Sequence, residues 1–142
     1  AGHKDLFTGQ IVGYAMSKRM TKNLISQSLF RAVSSQRPPA GLIHHSDRGS
    51  QYCSAEYQAL LRQFKMRVSM SRKGNCYDNA PIESFFGTLK TELVHHRHYA
   101  TRAEAKTDIF EYIEVFYNRQ RRHSTIGYQT PLGYEKASRK VV

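Results

Sequence analysis

The sequence has few cysteines and few acidic residues, and it has no long apolar stretch. Its 142 residues include two cysteines, Cys53 and Cys76, which are too few for the disulfide framework of a small secreted domain. No apolar run approaches the roughly 20 residues that a membrane-spanning helix needs. No basic segment followed by an apolar one, as in a secretion signal, begins the sequence. We therefore expect a protein of the reducing cytoplasm without a membrane segment.

The shortage of acidic residues leaves a large positive charge. Lys and Arg number 22 against 11 Asp and Glu, which gives a net charge of +11 at pH 7. Such an excess in a short chain predicts a polyanionic partner. The length and a hydrophobic content of 39% predict one compact unit with a core of its own. The chain begins without Met and soon enters an apolar run, which we interpret as a fragment entered part-way through a sheet.

Strand-like and helix-like segments alternate along the first half of the chain. β-Branched and aromatic residues predict strands over residues 10–16, 42–45 and 66–70, with the end of an earlier strand in residues 1–7. Apolar residues at helical spacing predict helices over residues 21–34 and 54–64. This alternation predicts parallel strand pairing in an α/β sheet.

Two more helices and a basic tail come after a polar loop over residues 71–79. Asn79, as N-cap, and Pro81 mark the start of the first helix. Thr101 and Glu104 have capping-box spacing and mark the start of the second. Their predicted apolar faces comprise Ile82, Phe85, Phe86, Leu89 and Leu93 in the first, and Ile109, Tyr112, Ile113, Phe116 and Tyr117 in the second.

Two acidic residues stand where sheets and helices present ligands. Asp47 directly follows a predicted strand, at the end where open α/β sheets bind ligands, and Glu83 lies in the first turn of a helix. Two carboxylates so placed suit Mg²⁺, which takes one or two carboxylates together with waters and substrate phosphate oxygens. The alternative is that Asp47 begins a turn and that Glu83 complements the helix dipole.

Lys90 follows Glu83 on the same predicted helix. Glu83, Gly87 and Lys90 are spaced i, i+4 and i+7, on a stripe separate from the apolar face. A carboxylate and an ammonium two turns apart, with no side chain between them, would let a phosphodiester lie along the helix. The alternative is a solvated helix face.

Several segments together resemble a known family. They are residues 44–52 (HHSDRGSQY), 69–86 (SMSRKGNCYDNAPIESFF), 89–90 (LK), 116–121 (FYNRQR) and 130–131 (TP). They resemble the catalytic half of bacterial insertion-sequence transposases of the insertion sequence three type, DDE enzymes similar to retroviral integrase. In that family, as here, 35 residues separate the second acid from the third, and a Lys stands seven residues after the Glu.

The resemblance implies a ribonuclease-H-like α/β fold, with a mixed sheet flanked by helices, and a site of three carboxylates. Asp47 matches the second carboxylate and Glu83 the third. No residue here matches the first, which the family carries on an earlier strand, and Asp5 matches a different position. The resemblance further implies that residues 1–100 are the catalytic core, truncated at its amino terminus, and that residues 101–142 are its basic helical tail.

The implied activity is DNA strand cleavage and then strand transfer, with two Mg²⁺ or Mn²⁺ ions held by the complete triad. The implied partners are the element's ends, target DNA, a second copy of the protein and an amino-terminal helix-turn-helix portion. The implied location is the bacterial cytoplasm, at the nucleoid. The candidate catalytic residues are Asp47, Glu83 and Lys90, and the candidate DNA contacts are Arg72, Lys73, Lys90, Arg119, Arg121 and Arg122.

Other interpretations stay open at this point. The chain could be a remnant that binds DNA without catalysis, or a ribonuclease-H-like nuclease without strand transfer. The basic cluster at residues 118–123 fits a DNA contact and a solvated helix end equally well. We expect the histidines at positions 44, 45, 95, 96 and 98 to be structural or exposed, because no cysteine pair stands beside them at zinc-ligand spacing.

Overall fold

The computed structural model describes residues 1–72 and 76–139. The strands are β1 (Gly2–Lys4), β2 (Ile11–Tyr14), β3 (Ile43–Ser46) and β4 (Arg67–Met70). The α-helices are α1 (Lys22–Gln36), α2 (Ser50–Cys53), α3 (Ala55–Gln63), α4 (Ala80–Glu92), α5 (Arg102–Glu111) and α6 (Pro131–Arg139). Short 3₁₀ turns cover Cys76–Asn79, Val94–His96 and Ser124–Ile126, and a π-helix covers Tyr112–Tyr117. The described residues contain no helix that is both long and apolar enough to cross a membrane.

The chain forms two compact units. Unit 1 comprises Ala1–His3 and Val12–Glu83, and unit 2 comprises Lys4–Ile11 and Ser84–Val142. The strands β1 and β2 pair with each other, and β3 pairs with β4. Among the described residues, the strands of the expected mixed sheet thus occur as two separate pairs. The division into a catalytic core over residues 1–100 and a basic tail over residues 101–142 stays a prediction.

Unit 1 contains the predicted parallel pair. β3 and β4 run parallel, with Ile43 opposite Arg67 and Ser46 opposite Met70, as the intervening helix α3 requires. The hydroxyl of Ser54 accepts a hydrogen bond from the Tyr57 amide and so caps α3. The core of this unit comprises Ile25, Leu29, Tyr57 and Leu61, with Val33, Leu60, Phe64 and Met66 packed around it.

The elements predicted in the first half of the chain are confirmed, with bounds that differ by one to three residues. The strand predicted over residues 10–16 is limited to Ile11–Tyr14, and the helix predicted over residues 21–34 runs over Lys22–Gln36. Thr21 precedes α1 but makes no side-chain capping bond. The one-turn helix α2 was not predicted, and α6 lies within residues 101–142, which the resemblance implies to be a helical tail.

Helix α1 packs so closely on β2 that only glycine fits at one position. A Cβ atom built at Gly13 would lie 2.3 Å from the Ser28 carbonyl oxygen and 2.7 Å from the Cβ of Ala32. The Ser28 oxygen and the Ala32 nitrogen, which would also lie at 2.7 Å, are backbone atoms of α1, so the helix itself would have to move.

Gly13→Ala should therefore destabilise the protein, by about 2 kcal/mol or more. Urea unfolding monitored by circular dichroism measures this change. Gly87→Ala is the matched control, because a Cβ there has nothing within 4 Å and alanine favours the helix by about 1 kcal/mol. Equal unfolding midpoints for the two variants would contradict the close packing.

Unit 2 contains the π-helix, which interrupts the helix predicted through Tyr117. In this segment Asn118 N donates to Ile113 O at 3.1 Å, five residues back, as in other π-helices. The wider turn buries Tyr117 and Asn118 and leaves Phe116 39% exposed. The prediction that Phe116 belongs to the buried face is therefore wrong, because one extra residue per turn moves that face along the chain.

The buried Asn118 acts as a backbone partner for strand β2. Its Oδ1 accepts a hydrogen bond from the Ile11 amide at 2.9 Å, and its Nδ2 donates to the Ile11 carbonyl at 3.0 Å. Its own carbonyl accepts from the Leu132 amide at 2.9 Å. Asn118, the first residue of the basic cluster at residues 118–123, is thus buried and contributes to packing.

Candidate active site

Asp47 lies where the sequence predicted it, directly after a strand of the parallel pair. Its side chain is exposed, and its Oδ1 accepts a hydrogen bond from the Gly49 amide at 2.7 Å. Side-chain oxygens of Asp commonly close turns in this way. Its negative charge reaches the phenol of Tyr52, whose pKa is raised first by burial and then by Asp47. The carboxylate keeps one oxygen without a protein hydrogen bond among those described.

Glu83 is the fourth residue of α4 and is exposed, like Asp47 in the same unit. Its place in the first turn also favours the helix dipole. Along the same helix, Gly87 and Lys90 are exposed while Phe85 and Leu89 are buried. The predicted separation of a polar stripe from the apolar face is therefore confirmed on α4.

Two hydrogen-bonded pairs close the loop that connects β4 to α4. The Ser71 hydroxyl lies 2.6 Å from Asn79 Oδ1, and the Arg72 amide donates to Asp78 Oδ2 at 2.8 Å. The bond from that amide lowers the pKa of Asp78, and the Arg72 side chain adds to this effect. Asp78 and Asn79 therefore bond to the two residues that directly follow β4.

The donor set fits a hard divalent cation. Asp47 and Glu83 offer two exposed carboxylates, and Mg²⁺ commonly takes one or two carboxylates together with waters and phosphate oxygens. Within the described ranges, no group of three or more His, Cys, Asp or Glu side chains is placed to hold a metal ion.

The candidate DNA contacts differ in the exposure of their side chains and in their ion pairs. Arg72 keeps its side chain 79% exposed, with a distant ion pair to Asp78 at 3.6 Å. Arg119 and Arg122 are exposed. Arg121 is instead held by Glu92, through Nε at 2.9 Å from Oε1 and through a second nitrogen at 2.9 Å. Lys73 lies outside the described residues.

A buried polar cluster in unit 1 was not predicted. The Nε2 atoms of His3 and His44 lie 3.2 Å apart, and the Tyr57 hydroxyl is 3.2 Å from the first and 2.8 Å from the second. His3 Nδ1 also contacts the Ser28 hydroxyl at 2.7 Å. Burial lowers the pKa of His3 to about 3 and that of His44 to about 4. His44 is therefore structural, as expected, and both rings are neutral near pH 7.

Comparison with known protein families assigns both parts of the chain to one family. Models described as the integrase core domain match residues 3–76 and residues 83–138. The chain belongs to the integrase core family. Asp47 lies within the first match, and Glu83 is the first residue of the second.

Several curated proteins are similar to this integrase core. The IS600 uncharacterized 31 kDa protein of Shigella sonnei is 59% identical over 136 residues, which are 96% of this chain and 50% of that protein. The IS904 transposase of Lactococcus lactis is 50% identical, over 93% of this chain and 52% of its own length. Transposase InsF of Escherichia coli IS3A is 47% identical, over 92% and 46%. The chain thus spans about half the length of these relatives, and the predicted resemblance to the insertion sequence three type is confirmed.

A solved structure supports the fold of the integrase core. A chain in the simian T-cell lymphotropic virus intasome, in complex with PP2A regulatory subunit B56 gamma, matches with a TM-score of 0.62. The match covers 79% of this chain and 41% of that chain, at 20% identity. At this identity the likeness concerns the fold alone, and it confirms the predicted ribonuclease-H-like integrase fold.

Proposed function

We propose that this integrase core is the catalytic portion of an insertion-sequence transposase, which cleaves DNA strands and joins them in a reaction that needs Mg²⁺ or Mn²⁺. The observation that carries the proposal is the placement of Asp47 and Glu83. Both carboxylates are exposed in one compact unit, and both stand in the family's motifs. The net charge of +11 supports DNA as the partner, because phosphate contacts dominate the affinity of proteins for DNA.

In this proposal Asp47 and Glu83 hold the metal, together with the further carboxylate that the resemblance implies. Bound metal ions would neutralise charge on the scissile phosphate and activate the attacking oxygen. The chain's own residues position the DNA: Lys90, seven residues beyond Glu83 on α4, contacts a phosphate, and Arg72, in the segment before that helix, contacts the DNA backbone. No covalent link between protein and DNA is required.

The exposed arginines of the tail are further proposed DNA contacts. Arg119 and Arg122 contact phosphates, whereas Arg121 stabilises unit 2 through Glu92 and is not among the contacts that we propose. We further propose that two copies act together, because two element ends must be joined to one target. An amino-terminal helix-turn-helix portion, which the resemblance implies, would then recognise those ends.

A strand-joining assay tests the proposed function. This chain replaces the 132 matching residues of the IS904 transposase, and the chimaera is incubated with IS904 end oligonucleotides and labelled target DNA. We expect joined products with Mg²⁺ and none with EDTA. Cleavage without joining would instead support a nuclease, and binding without cleavage would support a remnant that only binds DNA. Either result would contradict the proposal.

A substitution at Gly49 should weaken metal binding without lowering the stability of the protein. Its φ of −56° and ψ of 146° suit alanine, but the added Cβ would lie 2.8 Å from Asp47 Oδ1. We expect Gly49→Ala to shift the carboxylate and to weaken Mn²⁺ binding several-fold, while the free energy of unfolding changes by less than about 0.5 kcal/mol. Titration of Mn²⁺ by electron paramagnetic resonance measures the affinity. Unchanged affinity would show that this carboxylate does not hold the metal.

A further inference from the structure

Ser71 stands where the two halves of the candidate site separate along the chain. It is the first residue after β4, and its amide donates to the Ser46 carbonyl at 2.9 Å, which continues the hydrogen bonding of the parallel pair. Beyond this point the chain after Ser46 leads directly to Asp47. The chain after Ser71 leads through the loop to α4 and Glu83.

Every polar group of Ser71 is used to join these segments. Its carbonyl accepts from Arg48 Nε at 2.8 Å, and its hydroxyl lies 2.6 Å from Asn79 Oδ1 and 3.2 Å from the Ser46 carbonyl oxygen. Ser46 and Arg48 are the two neighbours of Asp47. Asn79 directly precedes α4, four residues before Glu83. Ser71 is thus bonded on both sides of Asp47 and at the start of the Glu83 helix.

The Ser71 side chain is buried, at 4% exposure, so its hydroxyl has little access to water as a replacement partner. A buried hydroxyl has one proton, and the shorter contact identifies Asn79 Oδ1 as its acceptor. Removal of the hydroxyl would leave the backbone ladder of β3 and β4 intact. It would remove one of the two described bonds between the residues after β4 and the start of α4, the other being the bond from the Arg72 amide to Asp78.

We propose that Ser71 is a positioning residue, whose hydroxyl, through Asn79, holds the Glu83 end of α4 in register with Asp47. This inference rests on the proposed function, because it concerns the two carboxylates proposed to hold the metal. Residues that orient metal ligands typically change metal affinity 10- to 100-fold when they are removed. The same size of effect is expected here without any contact between Ser71 and the metal.

The test measures Mn²⁺ dissociation constants of this chain by electron paramagnetic resonance, with no DNA present. We expect Ser71→Ala and Asn79→Ala each to raise the constant about tenfold. The double variant should be no weaker than either single variant, because both changes break the same bond. Ser71→Thr restores a hydroxyl and should restore affinity.

Ser69→Ala is the matched control, since it lies on β4 and loses one hydroxyl contact, with His45 Nδ1 at 2.9 Å, that does not reach Asn79. Its Mn²⁺ affinity should equal that of the wild type. Thermal unfolding of each variant verifies that the samples are folded. Asn79 is only partly buried, so Asn79→Ala tests the same bond even where Ser71→Ala does not fold.

The outcomes separate the two proposals. Wild-type affinity in Ser71→Ala, together with loss of binding in Asp47→Asn and Glu83→Gln, would overturn the role of Ser71 and leave the proposed function in place. Additive effects of Ser71→Ala and Asn79→Ala would also overturn it. Mn²⁺ binding that does not depend on Asp47 or Glu83 would overturn the proposed function, and the role of Ser71 with it.

Discussion

Asp47→Asn and Glu83→Gln should each lower the rate of strand cleavage by the IS904 chimaera about a thousandfold or more. A thousandfold loss corresponds to about 4 kcal/mol in the activation barrier. Each substitution keeps the size of the side chain and removes the charge that a hard cation requires. DNA affinity without metal should stay equal or rise, since a negative charge near phosphate is lost. Single-turnover cleavage and filter binding measure the two quantities separately.

Glu111→Gln is the matched control for these two variants. Glu111 is exposed at the end of α5, and the same chemical change there should leave the cleavage rate within about twofold of the wild type. Cleavage by Asp47→Asn or Glu83→Gln at the wild-type rate would exclude that carboxylate from the site. A parallel loss of DNA binding would indicate misfolding instead of a missing ligand.

Acidification below about pH 6.5 should progressively destabilise the protein. The pKa values of His3 and His44 in the folded protein are about 3 and about 4, because burial disfavours the charged rings. In the unfolded chain both titrate near 6.5. Between these values the unfolded state binds more protons, so stability is complete above about pH 7 and falls as the pH decreases.

The size of this effect is set by the number of protons taken up. Each histidine lowers the free energy of unfolding by about 1.4 kcal/mol per pH unit below its unfolded pKa. Two histidines together are expected to remove several kcal/mol by about pH 4, a large part of a typical stability of about 5–15 kcal/mol. Urea unfolding at a series of pH values, monitored by circular dichroism, measures the slope.

A variant of the cluster isolates the histidine contribution. His44→Phe removes one titrating ring and should roughly halve the slope between pH 6 and pH 4, whereas the exposed His96→Gln should leave it unchanged. His3 and Tyr57 keep their mutual contact of 3.2 Å in the first variant. An identical slope in all three proteins would assign the acid sensitivity to other groups.

Features encoded by short-range patterns could be predicted from the sequence. The parallel pairing of β3 with β4 results from a strand, a helix and a strand in succession. Asp47 could be placed because the strand before it is short and bounded by turn residues. The stripe of Glu83, Gly87 and Lys90 results from helical periodicity alone.

Features that depend on contacts between distant residues could not be predicted. His3 and His44 are separated by 41 positions, and nothing near either marks the other as its partner. Nothing in the sequence distinguishes Ser71 from other serines in loops. Its proposed role depends only on its burial and on where Ser46, Arg48 and Asn79 lie. The π-helix escaped prediction because Tyr112, Ile113, Phe116 and Tyr117 also fit an ordinary helix.

The π-helix takes up one residue more than an α-helix would need for the same total rotation. Deleting one residue, such as Val115, would therefore let the segment relax to an α-helix without turning the residues beyond it. The side chain of Asn118 would keep its two hydrogen bonds to the backbone of Ile11. Homologues with one residue fewer here should thus retain an uncharged polar side chain at the position that pairs with this strand.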